Sequence, residues 1–365
     1  MSRRAIVVGT GFGLRVHVPA LRAAGFEVAG LVGQDAERTA RRAQRVGVAA
    51  GFDSLATALD ATGAEVVTIA TPPDTHAELA GLAIAAGRHV ICEKPLALSV
   101  EQAEAMTKAA DAAGLVALVG TEFRWDPAVE AVRDAIASGR VGRPHTATIV
   151  RSYPILAAAE AGTPGWWFDP ARGGGWLRAN GTHLLDQLQL WLGPIVEVSA
   201  TLGQAVPRPA GGADDGYGVL LRTATGAVGV IQECAAAWGE PVEVTRVAGT
   251  AGTVSIVDGQ ALLATPDGSR RLTPDAPPPP STVPGNSRPW TAREIASYTG
   301  LARWLYQRLD HPGGEAAPGF PRPATFADGL AVLRVVEAIQ ASAERRCAVP
   351  VPSSPEESHE PTTRQ

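Results

Sequence analysis

Ala5-Ile6-Val7-Val8-Gly9-Thr10-Gly11-Phe12-Gly13-Leu14 is the stretch from which the rest of the chain is read. Its apolar residues run without polar alternation, the habit of a strand buried on both faces of a parallel sheet. Glycines then break the run, and residues 15–24 resume with apolar residues at helical spacing. The same alternation recurs downstream. Strands are predicted at 5–9, 27–33, 65–71, 89–93 and 116–120, and helices at 15–24, 36–46, 54–59, 75–86 and 100–113. This predicts an α/β fold whose first domain, residues 1–121, is a doubly wound parallel sheet. A ligand would sit at the carboxyl ends of its strands.

A glycine turn between a strand and a helix is the context that a dinucleotide fingerprint requires. Gly9 permits the tight turn, Gly11 lets backbone approach a pyrophosphate, and the following helix supplies N–H groups and dipole. The third glycine is expected at position 14, but Leu14 stands there and Gly13 comes one place early. Gly9, Gly11, Phe12 and Gly13 are therefore cofactor candidates; an ordinary βα turn is the alternative. The second strand ends Gly33-Gln34-Asp35, with Arg38, Arg41 and Arg42 following. No carboxylate at 33 repels a 2′-phosphate, and Arg38 can bind one; Gln34 is a further cofactor candidate. Asp35 can instead serve a ribose. The expected cofactor is NAD(P), leaning to NADP.

Strand 89–93 ends in Glu93-Lys94-Pro95. A lysine at the tip of a buried strand is costly to desolvate, and chemistry is the usual reason to accept that cost. Pro95 fixes the exit. The bland alternative is a lysine that snorkels to solvent.

The pattern changes after a helix at 127–138. A strand at 145–153 leads to an irregular stretch holding Trp166-Trp167-Phe168, then a helix at 181–192. From 196 to 272 the residues alternate with period two in six runs, as an antiparallel sheet does. A face of such a sheet left open by helices is often buried against a second subunit. A proline-rich loop at 277–289 precedes helices at 292–309 and 325–343, linked by the Gly/Pro-rich 311–323. Residues 122–349 are read as a second domain and 350–365 as a disordered tail.

Composition narrows the function. The 365 residues are 45% hydrophobic and 19% charged, with net charge -5. Mean hydropathy is +0.04 and the pI about 5.9. No basic stripe or zinc-finger spacing appears, so no nucleic-acid partner is expected. Cys92, Cys234 and Cys347 are too scattered for a disulfide framework or zinc site. The first apolar run is too short for a signal peptide and no membrane-spanning run follows, so a cytoplasmic protein without membrane contact is expected.

Together these motifs resemble the Gfo/Idh/MocA oxidoreductases, named for glucose–fructose oxidoreductase, inositol dehydrogenase and their relatives. The resemblance rests on the glycine turn with Arg15 and His17, Ala70-Thr71-Pro72-Pro73-Asp74-Thr75-His76 and Glu93-Lys94-Pro95. Gly173-Gly174-Gly175, Gly181 with His183 and Asp186, and Thr325-Phe326-Ala327-Asp328-Gly329 extend it across nearly the whole chain. It implies a Rossmann domain, a C-terminal α/β domain on a large open, mainly antiparallel sheet, and a homo-oligomer, dimer or tetramer. It also implies hydride transfer between NAD(P) and a small sugar, polyol or related substrate. Thr71, Pro72 and His76 would lie beside the nicotinamide half, and Lys94 would carry catalysis, with the bond before Pro95 often cis.

The chemistry asks for the same groups. Taking a hydride from an alcohol leaves a hydroxyl proton that needs a positioned acceptor. Lys94 can accept it, and His183 can act as a second acid/base or polarise the oxygen. Glu93 reads as support for cofactor or lysine. His76 reads equally as a capping residue, and His183 alternatively as a satisfied core histidine. His183 and Asp186 alone make no metal site, so none is expected. Arg124, Trp167, Asn180 and Asp186 are candidate substrate contacts. One departure stands out: the family often has aspartate four residues before the histidine, and Ala179 is there. Asp186 is a possible substitute. An NAD-using glycoside-cleaving relative and a non-catalytic NAD(P)-binding regulator remain the alternatives.

Overall fold

Short β-branched runs and Gly-ended helices build the first part of the chain as the alternation predicts. The computed structural model describes residues 2–157, 163–206, 212–273, 291–311 and 321–353. These form two units. The first holds 2–130, 171–173, 291–311 and 321–330, and the second holds 131–157, 163–170, 174–206, 212–273 and 331–353. The proline-rich loop at 277–289 lies outside the described residues, as do 312–320 of the expected linker and 354–365 of the expected tail.

In the first unit, β1 (Arg4–Val8), β2 (Glu27–Val32), β3 (Gly51–Phe52), β4 (Val66–Ile69), β5 (His89–Cys92) and β6 (Ala117–Val119) form one sheet. Its order is β3-β2-β1-β4-β5-β6, and every neighbouring pair is parallel. Strand β3 was not expected, since two residues carry no periodicity. Helices α1 (Val18–Ala23), α2 (Ala36–Arg45), α3 (Leu55–Thr62), α4 (His76–Ala85) and α5 (Val100–Ala112) connect these strands. Strand order reverses between β1 and β4, the switch point where such sheets bind ligands.

After α6 (Pro127–Ala137) and α7 (Thr182–Leu192), helix α8 (Thr291–Asp310) belongs to the first unit, although the sequence reading groups it with the second domain. Its Tyr298, Leu301, Ala302 and Leu305 are wholly buried in one cluster with Val16, Leu21 and Val28. Helix α9 (Phe326–Arg345) opens on a capping box: Asp328 accepts from the Thr325 amide at 2.8 Å, and Thr325 Oγ1 accepts from the Asp328 amide at 3.3 Å.

The second unit holds β7 (Pro144–Ser152), β8 (Ile195–Gly203), β9 (Gly216–Thr223), β10 (Val228–Cys234), β11 (Val242–Gly249), β12 (Thr253–Val257), β13 (Gln260–Thr265), β14 (Gly268–Arg271) and β15 (Val349–Pro350). The order is β14-β13-β12-β11-β7-β10-β9-β8-β15. Among the described pairs only β7 with β10 is parallel. The expected meander is therefore two antiparallel runs with β7 laid between them. Pro350, expected in the tail, pairs with Glu197 of β8. One face buries Ile149, Val219, Ile231, Val247 and Val254; the other exposes Leu220, Val228 and Val242.

Candidate active site

The glycine turn sits on the switch point. Gly9 has φ +117°, and a Cβ there would lie 2.3 Å from the Ala70 carbonyl oxygen, so β1 and the β4 exit touch backbone to backbone. A Cβ on Gly13 would meet Val7 at 2.9 Å and Ala70 at 3.2 Å. Gly13 thus does the close-packing work expected of the third glycine. It can do so one place early because Gly13–His17 is wound as a wide π turn running into α1. Gly11 is exposed, and a Cβ there would meet nothing within 4 Å. That is an open backbone approach of the kind a pyrophosphate uses, so the turn fits a dinucleotide. Phe12 packs edge-on against His17, with ring centroids 5.5 Å apart, and Arg15 lies over its ring.

At the β2 tip, a Cβ on Gly33 would meet Thr39 Oγ1 at 2.5 Å and Thr10 Cγ2 at 2.7 Å. Asp35 accepts from the Arg38 amide at 2.7 Å and so caps α2. Gln34 and Arg38 are exposed beside it. Arg42 is the arginine that reaches back to the turn, donating to Thr10 Oγ1.

Lys94 is half-buried at the β5 tip, and the Lys94–Pro95 peptide is cis. His76 is fully buried, its Nδ1 2.9 Å from the Pro95 carbonyl and its Nε2 3.0 Å from the Thr71 carbonyl. It therefore ties the β4 exit to the Lys94–Pro95 turn. Burial lowers its pKa, and a neutral ring donates to one of the two carbonyls only. Thr75 Oγ1 donates to Thr71 Oγ1 at 2.7 Å, firming the Thr71-Pro72 corner.

Behind Lys94, Glu93 is buried with Oε1 3.1 Å from His17 Nε2. The other ring nitrogen lies 3.1 Å from Thr68 Oγ1 and 3.2 Å from the Tyr298 hydroxyl, and Tyr298 stacks on the ring at 4.1 Å. Burial drives His17 down to about 3, so it is neutral. Burial pushes Glu93 up to about 7, with Lys94 pulling it back. Glu122 is raised well above the usual range, first by burial and then by Glu93. Glu122, Thr68 and Tyr298 were not singled out from sequence. Glu122 had a usable signal, standing just past the β6 tip at the same sheet edge.

Of the substrate candidates, Arg124 is buried and bound within the first unit, donating to the Arg322 carbonyl at 3.0 Å with Asp328 at 3.8 Å. Trp167 is half-buried in the second unit, 6.2 Å from Trp176. His183 and Asp186 are both buried in α7, and Asn180 precedes them in the π turn Leu177–Gly181. Gly175, at φ +111°, leaves room for Asp214 there. Among the described residues no cluster of metal-ligating side chains appears, and no helix is long and apolar enough to cross a membrane.

A parallel sheet in this strand order, a glycine turn fitted to a dinucleotide and a lysine at a strand tip define a nicotinamide-dependent oxidoreductase. The description "oxidoreductase family, NAD-binding Rossmann fold" matches residues 3–121, and the "GFO/IDH/MocA C-terminal domain" matches 129–255. D-apiose dehydrogenase of Paraburkholderia graminis is 30% identical over 345 residues, covering 92% of this chain and 86% of that protein. Inositol 2-dehydrogenase of Rhizobium meliloti is 29% identical over 289 residues, covering 77% and 79%. A levoglucosan dehydrogenase solved in complex with NADH superposes with TM-score 0.82 at 25% identity, over 97% of this chain and all of that one. The chain belongs to the Gfo/Idh/MocA family and is a dehydrogenase or reductase.

Proposed function

We propose that this enzyme interconverts a secondary alcohol and a ketone on a sugar, polyol or related small molecule, with Lys94 as main acid/base and His183 as the second. The carrying observation is Lys94 itself, half-buried at the β5 tip in a turn that His76 clamps and Glu93 backs. The bound nicotinamide supplies hydride transfer. Lys94 holds the hydroxyl proton, Glu93 and Glu122 set the charge around it, and Gly9, Gly11, Gly13 and the Thr71-Pro72 corner shape the cofactor cradle. Apiose, levoglucosan and inositol, named for relatives, indicate the substrate class.

NADP is accepted at least as well as NAD on this reading. Asp35 spends its carboxylate on the α2 cap, while Gln34 and Arg38 stand exposed at the β2 tip. The three free cysteines fit a reduced, cytoplasmic setting, and the open sheet face fits a homo-oligomer. Fluorescence titration with NADH and NADPH, followed by a polyol and sugar panel read at the nicotinamide band, tests the whole reading. Lys94→Ala is expected to keep cofactor affinity and lose roughly 10²–10⁴ in kcat. A near-normal kcat would remove Lys94 from the mechanism.

A further inference from the structure

The turn Leu177–Gly181 is gripped at two points from beneath. Asp214 accepts from the Leu177 amide at 2.8 Å, and three residues on Asn180 Nδ2 donates to Glu233 Oε1 at 2.6 Å. Glu233 is 1% exposed, and its other oxygen accepts a short hydrogen bond from the Tyr217 hydroxyl. Sheet register explains why these groups meet. Tyr217, Glu233, Arg151 and Glu243 are successive cross-strand partners on β9, β10, β7 and β11, so they form a row on the buried face. Tyr153 donates to Glu243 at 2.7 Å at the end of that row.

Two donors converge on Glu233 and the Arg151 guanidinium is its cross-strand neighbour, so the carboxylate accepts rather than donates. That fixes the Asn180 amide, since Nδ2 is the atom turned to Glu233 and Oδ1 is the atom turned from it. Asn180 is half-buried, one helical turn before His183 and next to Ala179. We infer that Glu233 is a positioning residue that locks the Asn180 amide oxygen outward, making Asn180 the acceptor that selects a donating hydroxyl on a neutral polyhydroxylated substrate. This rests on the proposed alcohol–ketone chemistry and deepens it. An uncharged acceptor there suits a neutral ring.

Burial pushes Glu233 up to about 7. The groups facing it are Arg151 from β7, Tyr217 from β9, Glu243 from β11 and Asn180 from the turn, with Asp214 beyond Tyr217. Below that pH a protonated Glu233 donates, which favours the turned amide with its oxygen inward.

The test measures KM and kcat for levoglucosan, D-apiose, L-sorbose and inositol, and for monodeoxy analogues of whichever is turned over. Wild type, Asn180→Ala and Glu233→Gln are compared. Asn180→Ala is expected to raise KM roughly five- to tenfold with NADH affinity unchanged. The deoxy analogue lacking the selected hydroxyl should lose nothing further in that variant. Glu233→Gln should raise KM similarly and flatten the wild-type rise in KM below about pH 7, leaving only the part that Glu93 beside Lys94 contributes. Where Glu233→Gln does not fold, Asn180→Ala and its response to the deoxy analogues decide. Folded Asn180→Ala with wild-type KM on every turned-over compound overturns the inference alone. No turnover of any compound by the wild type overturns the functional reading and this inference with it.

Discussion

Glu93 shows how one residue can link stability to the site. It neighbours Lys94 in the chain, contacts His17 at 3.1 Å, and is held up at about 7 by burial. Its unfolded value is the ordinary 4.5. Between those two values the folded chain binds more protons than the unfolded one, so stability falls as pH rises through the window. Glu93→Gln can keep the contact to His17 while removing the titration. It is expected to gain on the order of 2–3 kcal/mol over wild type at pH 8 and almost nothing at pH 4.5, read from urea midpoints at both. The wild-type slope should shrink rather than vanish, because Glu233 titrates in the same window. Equal midpoint shifts at both pH values would show that Glu93 does not titrate there.

At the scale of elements, the β1–α1 turn separates folding from binding glycine by glycine. A methyl on Gly9 meets the Ala70 carbonyl at 2.3 Å from a backbone at φ +117°, so Gly9→Ala should cost about 3 kcal/mol and weaken NADH binding with it. A methyl on Gly11 meets no protein atom within 4 Å. Gly11→Ala should therefore leave the unfolding free energy within about 0.5 kcal/mol of wild type and still lose most NADH affinity. Paired denaturation and fluorescence titration separate the two. Equal destabilisation, or full NADH affinity in Gly11→Ala, would contradict this assignment of roles.

The same turn shows what the sequence could and could not reveal. The alternation of apolar runs and helices made the first sheet readable apart from β3, because each strand is buried on both faces. Gly9-Thr10-Gly11 was readable because its chemistry is local. The work of Gly13 was not, because the π turn that shifts it depends on packing against Val7 and Ala70. Strands β3 and β15 are two residues long, and β14 is fully exposed, so none offers a pattern. The clamp of His76 on Pro95 and the pair Asn180–Glu233 join residues 19 and 53 positions apart. Such pairs follow from strand order and register, which composition and period do not carry. The amphipathic face of α8 showed that it packs, but not that it returns to His17.

At the scale of the whole molecule, the nine-stranded sheet has one buried face and one that the described residues leave exposed. On the open face Leu220 is 61% exposed, Val228 47% and Val242 45%, each on a different strand. Cross-strand register places Leu220 opposite Val230 and Ser199, and Val244 opposite Val150 and Val257, so apolar residues extend over several strands of that face. Contiguous apolar surface on a sheet is normally covered, and a second copy of the same face does so with two-fold symmetry. The protein should therefore sediment as a dimer or a multiple of it at micromolar concentration. The double substitution Leu220→Asp with Val228→Asp puts like charges at the centre of that face without touching the buried one. It should shift sedimentation to the monomer while leaving the cofactor turn, and so NADH affinity, unchanged. A wild-type monomer at every concentration tested, or a double variant that still sediments with the wild type, would mean that this face is not where copies meet.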